Sequence, residues 1–241
     1  MNGLALTETE QETDVGVLIS RDLKPSRQCN MAAARAGAVL SQIYRSFHFR
    51  DKHTFVRLYV RYVRPHLEFC TPAWNPCGLQ DKNVLEKIQM RAVNMISGLR
   101  GVTYKEKLQE IGLDSLEMRR LKADLLQTFK IVHKFDDVNH RLWFRLAGEN
   151  IRVNTRQAAD SSKLKSNMTR LDIRKHFYSN RIVQAWNQLP SEIRNSGSIK
   201  EFRKKLNSYK LDAAQLQLAG KCLTLPQCYN SSPGNFSSSN K

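Results

Sequence analysis

Acidic side chains are scarce in this chain: 22 Asp and Glu stand against 39 Lys and Arg over 241 residues, a formal charge of +17. That balance disfavours cationic partners and leaves nucleic acid, anionic membrane or acidic protein. Glu8, Glu10, Glu12 and Asp14 come before any Lys or Arg, so the remainder is more basic still. Cysteine is sparse as well. Cys29, Cys70, Cys77, Cys222 and Cys228 are odd in number and widely spread, which argues against the dense disulfide framework of a small secreted domain. No stretch approaches the run of about eighteen apolar residues that spans a membrane. The start, MNGLALTETEQETD, lacks the cationic and apolar regions of a signal peptide. These absences predict an intracellular protein with reduced thiols, nuclear or cytoplasmic and not secreted. A phosphate-cradling P-loop, HExxH and GxSxG are also missing, which removes the commonest NTPase, zinc-protease and hydrolase readings.

What is present is a core's worth of apolar residues, 41% of the chain, arranged mostly at helical spacing. The one strand-like piece is DVGVLIS, residues 14–20. Ala36, Val39, Leu40, Ile43, Tyr44 and Phe47 then predict a helix from about Cys29 to Phe49. A second is predicted from Asp51 to Arg64, where Pro65 removes an amide hydrogen and restricts its predecessor. Two further stripes are Leu85, Ile88, Ala92, Ile96 and Met118, Leu121, Leu125, Phe129, Val132, the latter with a capping box from Asp114 to Glu117. Helices are expected again over 171–188 and 198–210, the last opened by Ser198 and Glu201. The predicted fold is mainly α: a helical bundle with one short β-strand at its start, a second small helical region and a disordered tail. The corresponding divisions are 1–13, a disordered acidic start; 14–146, the first helical domain; 147–170, an exposed basic linker; 171–210, the second helical region; and 211–241, the tail.

Candidate chemistry is thin. Asp136–Asp137 is the one adjacent carboxylate pair, but it closes a helical stripe and reads as a solvated helix end, as do His133 and His140. The stretch RYVRPHLEFCTPAWNPCG, residues 61–78, offers His66, Cys70 and Cys77 as metal ligands. Zinc favours pairs two to four residues apart with a second pair to complete a tetrahedron, and Cys-x6-Cys without a downstream partner does not supply it. No metal, cofactor or catalytic residue is therefore assigned. The helix before that stretch carries more information. At about 100° per residue, Phe55, Leu58, Tyr59 and Tyr62 share one face, while Arg57, Arg61 and Arg64 line the opposite one. No acid lies within residues 52–67, whereas a merely solvated face interleaves Glu with Lys. Arg21, Lys24, Arg27, Arg35, Arg45, Arg50 and Lys52 add the same sign nearby. A phosphate backbone is the economical partner, since charge and counterion release bind it without base contacts. The alternative is a basic surface with nothing bound to it.

Several stretches also carry a likeness. DVGVLISRDLKPSRQCNMAAARAGAVLSQIYRSF, TFVRLYVRYVRPHLEFCTPAWNP, VLEKIQMRAVNMISGL and SLEMRRLKADLLQTFKIVH, with RKHFYSNRIVQAWNQLP more weakly, resemble one family in order and spacing. It is the carboxy-terminal, thumb and post-thumb part of the reverse transcriptase of LINE-type non-LTR retrotransposons, of the jockey and chicken-repeat group. The resemblance covers roughly residues 14–210 and implies that 14–20 ends a palm while the helices that follow form a thumb gripping template–primer duplex by its backbone. It implies no catalytic carboxylates here, Asp136–Asp137 lying far beyond the palm-like piece, and so no RNA-directed DNA polymerase activity by the chain alone. The residues it carries over are Arg57, Arg61 and Arg64, with Arg27, Arg35 and Lys52 as companions. The implied partner is RNA or RNA–DNA duplex, bound through phosphates. Alternatives are a helical protein-interaction module whose exposed apolar surface a protein partner covers, a functionless remnant, or a contributor to polymerase activity together with other chains.

Overall fold

A computed structural model describes residues 8–48, 51–99, 101–149, 160–209 and 211. The chain is mainly helical, with a two-stranded antiparallel hairpin near its start. Strand β1 (Gln11–Asp14) pairs with β2 (Val17–Ser20) across a two-residue turn in which Val15 and Gly16 both have positive φ. That is the turn whose twist matches paired strands. The single strand expected over 14–20 is thus half of a hairpin, and its partner lies in the stretch expected to be a disordered acidic start. Every residue of β1 is exposed, so the strand is held by its ladder and carries no apolar signal.

Helix α1 (Ser26–Ser46) starts three residues before its predicted onset, and Cys29, Ala32, Ala36, Leu40 and Ile43 bury one stripe. Residues 52–68 depart further from expectation. Helix α2 (Lys52–Leu58) runs through a π turn (Tyr59–Val63) into α3 (Arg64–Glu68) without a break, carrying Pro65 inside a continuous rod. Proline ordinarily breaks a helix because its ring meets the carbonyl four residues back and its amide bond is lost. The wider turn, with Arg64 N–H bonding to the Tyr59 carbonyl, relieves the helix just where Pro65 enters. The chain then stops at Cys70, in the left-handed region at φ +52, and α4 (Thr71–Trp74) follows. Trp74 is buried and donates its indole N–H to the Phe69 carbonyl at 2.8 Å.

Beyond lie α5 (Leu79–Asn94), α6 (Tyr104–Ile111) and α7 (Leu116–Val132). The cap of α7 is Ser115, which accepts from Met118 N–H at 3.2 Å, while the predicted cap Asp114 binds Lys122 at 2.6 Å. Then come α8 (His140–Trp143), α9 (Asp172–His176), α10 (Tyr178–Gln188), α11 (Ser191–Arg194) and α12 (Ile199–Ser208). The helix expected over 171–188 is broken at Phe177, whose backbone is extended. At α12, Ser198 accepts from Glu201 N–H at 3.2 Å, but the Glu201 carboxylate takes the Gly197 amide, so the box closes one residue early.

Two apolar clusters organise these elements. The first packs α1, the 52–68 rod, α5 and α6 about Leu40, Tyr59, Leu67 and Leu85. The second joins the later turns of α7 to α10 and α12 about Phe129, Trp186 and Phe202, with Phe129 and Phe202 stacked at 4.3 Å between centroids. The division falls within α7, whose Leu116 belongs to the first cluster and Leu121 to the second. Residues 160–165, read as exposed linker, are instead fastened to the second cluster. Leu164 is buried and exchanges hydrogen bonds with the Asn187 side chain, both 2.8 Å, and Trp186 donates to the Ser162 carbonyl at 2.9 Å. Among the described residues no helix is long and apolar enough to cross a membrane. Residues 1–7 of the acidic start, Phe49, Arg50, residues 150–159 of the linker, and the tail with Cys222 and Cys228, apart from Leu211, fall outside the described residues.

Candidate nucleic-acid interface

The π turn decides which arginines share a face. Phe55, Tyr59, Val63 and Leu67 are the buried residues of the 52–68 rod, a uniform spacing of four. An α-helix alone would let that series drift around its axis, and the widened turn holds it on the core side. Tyr62, grouped on one face with Phe55, Leu58 and Tyr59 by α-helical spacing, is therefore 56% exposed, and Val63 takes its place beside Phe55 and Tyr59. Arg57 and Arg61 remain exposed on the outer side, with no ion-pair or hydrogen-bond partner among the described residues. Arg64 is turned off that face. It is half-buried 3.7 Å from Glu68, and burial, with Arg119 nearby, lowers its affinity for the proton. Glu68 is held in turn by Arg119 of α7 through a two-pronged pair, one arm of which spans 2.8 Å.

The companions divide in the same way. Arg35 stands exposed on α1, which packs against the π turn and α3. Lys52 is bound to Glu110 of α6 at 2.5 Å, and Arg27 donates to Gln11 of the hairpin at 2.9 Å. Of the six candidates, Arg35, Arg57 and Arg61 keep their charge uncommitted, whereas Arg27, Lys52 and Arg64 have partners. An unpaired exposed guanidinium retains its full set of donors for a phosphate, and one already in a fork must first give up an internal bond.

The remaining candidates are quieter. Asp136 of the carboxylate pair accepts from Gln127 at 2.7 Å and lies 3.8 Å from Lys130; Asp137 is exposed. Lys134, at φ +58, ends α7, and the amide of Phe135 reaches back to the Lys130 carbonyl. His133 donates from Nε2 to the carbonyl of Arg194 at 2.8 Å. Cys70 is exposed and Cys77 half-buried, and among the described residues no cluster of three His, Cys, Asp or Glu could hold a metal.

The most developed polar site joins the two clusters, and sequence spacing did not reveal it. Asp124 of α7 and Arg181 of α10 are both buried, and the guanidinium grips the carboxylate with Nε at 3.0 Å and Nη2 at 3.1 Å. Arg181 also donates to the carbonyls of Pro72 at 2.9 Å and His176 at 3.2 Å, and Asn75 donates to Asp124 at 3.1 Å. The TPAWNP turn is thus tied to a residue more than a hundred positions away. Thr128 and Tyr178 complete the network on the Asp124 carbonyl, and burial raises the Tyr178 phenol well above its usual range. A buried Arg–Asp pair satisfied on every side holds the elements it joins in place. A long-range pair of this kind leaves no periodic trace in the sequence.

No family model matches the chain, and neither a curated protein nor a solved structure matches it.

Proposed function

We propose that this chain binds RNA or RNA–DNA duplex through phosphates, with little base preference, as the thumb-like part of a LINE-type reverse transcriptase. One observation carries the reading: Arg35, Arg57 and Arg61 stand exposed and uncommitted on packed neighbouring helices in a chain of net charge +17. Phosphate contacts of this kind supply affinity and orientation without sequence information. Under this reading the chain by itself holds a template and performs no polymerisation, for two-metal chemistry needs placed carboxylates. Asp136 is occupied by Gln127 and Lys130. A salt-titrated binding assay on single-stranded RNA, RNA–DNA hybrid and duplex DNA tests the proposal. Binding that weakens steeply with salt and depends on Arg57 and Arg61 supports it; absence of binding to all three nucleic acids refutes it.

A second reading rests on Tyr62 and Phe69, both more than half exposed at the rod's outer side and end. In that reading a protein partner covers them. Sedimentation of the purified chain separates a well-behaved monomer from self-association through this surface.

A further inference from the structure

Another surface combines flat rings with positive charge, beside the second apolar cluster and on elements other than the 52–68 rod. Trp143 closes α8 and Phe177 separates α9 from α10. Their rings lie parallel to within 7°, centroids 6.1 Å apart, and the two side chains remain 36% and 40% exposed. The guanidinium of Arg174 sits 5.2 Å over the Phe177 ring. The buried Tyr178 meets Trp143 edge-on at 6.0 Å, and its hydroxyl is fixed between Thr128 and the Asp124 carbonyl. The rings are therefore seated against the buried Asp124–Thr128–Tyr178 network. Arg145, Lys165, Arg170 and Lys175 are exposed close by in sequence, and Asp172 is the only acid between 161 and 177.

A ligand that complements this surface must offer a flat π-face and repeated negative charge. We propose that Trp143, Phe177 and Arg174 form a stacking platform for the bases of a single-stranded nucleic acid, with Lys165, Arg170 and Lys175 meeting its phosphates. Stacking on aromatic side chains and guanidinium groups is tolerant of sequence because every base has a π-face. An anionic lipid surface is the rival occupant, since Leu142, Met168 and Leu171 are also exposed. The local geometry disfavours it: α8 has 4 residues and α9 has 5, too short to lay a continuous amphipathic face into a membrane. The platform does not rest on the arginine face, and either site can fail alone.

Tryptophan fluorescence of the full chain reads the site directly, because Trp74 and Trp186 are buried and Trp143 is the exposed third. Titration with an oligo(dT) of about fifteen nucleotides should quench it, and polarisation of a labelled oligo(dT), which needs no tryptophan, should show Trp143→Leu or Phe177→Leu weakening binding roughly 5- to 100-fold, within the range of a lost stacked base. Trp143→Phe should restore most of the affinity. Arg57→Ala/Arg61→Ala should leave the quenching in place while weakening duplex binding, which separates the two sites. Should a ring variant misfold by circular dichroism, the exposed Arg174→Gln carries the same test with a several-fold loss. Oligo(dT) affinity within two-fold of wild type in the folded variants overturns the platform. So does a Trp143-dependent response to phosphatidylserine vesicles without one to oligo(dT).

Discussion

Replacing Arg181 by Met tests how the two clusters are joined. The guanidinium makes two bonds to Asp124 and one each to the carbonyls of Pro72 and His176, all between 2.9 and 3.2 Å. Met preserves much of the side-chain volume, so loss of packing is small and loss of charge dominates. The variant leaves the Asp124 carboxylate, 1% exposed, with Asn75 as its remaining side-chain partner. Breaking a buried pair from one side costs about 3–5 kcal/mol, because the other charge stays desolvated. For a chain of this size that lowers the midpoint by roughly 6–20 °C. The assay is thermal or urea unfolding followed by far-UV circular dichroism, with Asp124→Asn and the double variant completing a cycle. The double variant should recover more than 1 kcal/mol relative to additivity, since each single change exposes the same unpaired partner. A loss below about 1 kcal/mol for Arg181→Met, or strict additivity in the cycle, would refute the claim that this pair couples the halves.

Other consequences follow from the same contacts. Arg64→Ala should leave the salt dependence of RNA binding nearly unchanged while lowering stability, because Arg64 faces Glu68; a slope reduced by about one would return it to the binding face. Gly16→Ala should destabilise the hairpin by about 1–2 kcal/mol, as Gly16 sits at φ +80 with a would-be Cβ 3.3 Å from the Phe69 ring; hydrogen exchange across residues 11–20 reads it. Burial pushes the Cys29 thiol up to about 12, so alkylation at mildly alkaline pH should modify the exposed Cys70 and spare Cys29 in the native chain. The sign for stability follows: the unfolded thiol ionises first, so Cys29's contribution is full below its unfolded value and is lost as pH rises towards about 12. Purified chain supplied with template–primer, nucleotides and magnesium should incorporate nothing, and template-dependent incorporation would contradict the reading.

The long amphipathic helices were legible because burial imposes a period that residues such as Leu85, Ala92, Leu121, Leu125 and Phe129 repeat. The π turn was not, because Pro65 is read as a stop by any rule that assumes α geometry throughout. A four-residue spacing from Phe55 to Leu67 was present in the sequence as a signal for the wider turn. Uniform α geometry instead places Arg64 beside Arg57 and Arg61, and Tyr62 on the face of Phe55 and Tyr59. Strand β1 escaped notice because QETD is polar and wholly exposed. Residues 160–165 read as linker because Asp160, Ser162 and Leu164 are held by bonds to the distant Arg194, Trp186 and Asn187, without a repeating pattern. Arg194 and Arg181 contribute to the formal charge of +17, yet both are buried among carbonyl and carboxylate partners. The overall charge therefore overstates the surface available to a polyanion, and the uncommitted arginines of α1, α2 and the π turn matter more than the total.

The most direct measurement is the salt dependence of RNA–DNA hybrid binding for the wild-type chain and for Arg57→Ala/Arg61→Ala. With Arg35, Arg57 and Arg61 and up to two further cations engaged, the log–log slope should be roughly −2 to −4, and removing two contacts should flatten it by about two. A wild-type chain that binds no nucleic acid, or a double variant whose slope matches wild type, would contradict the account.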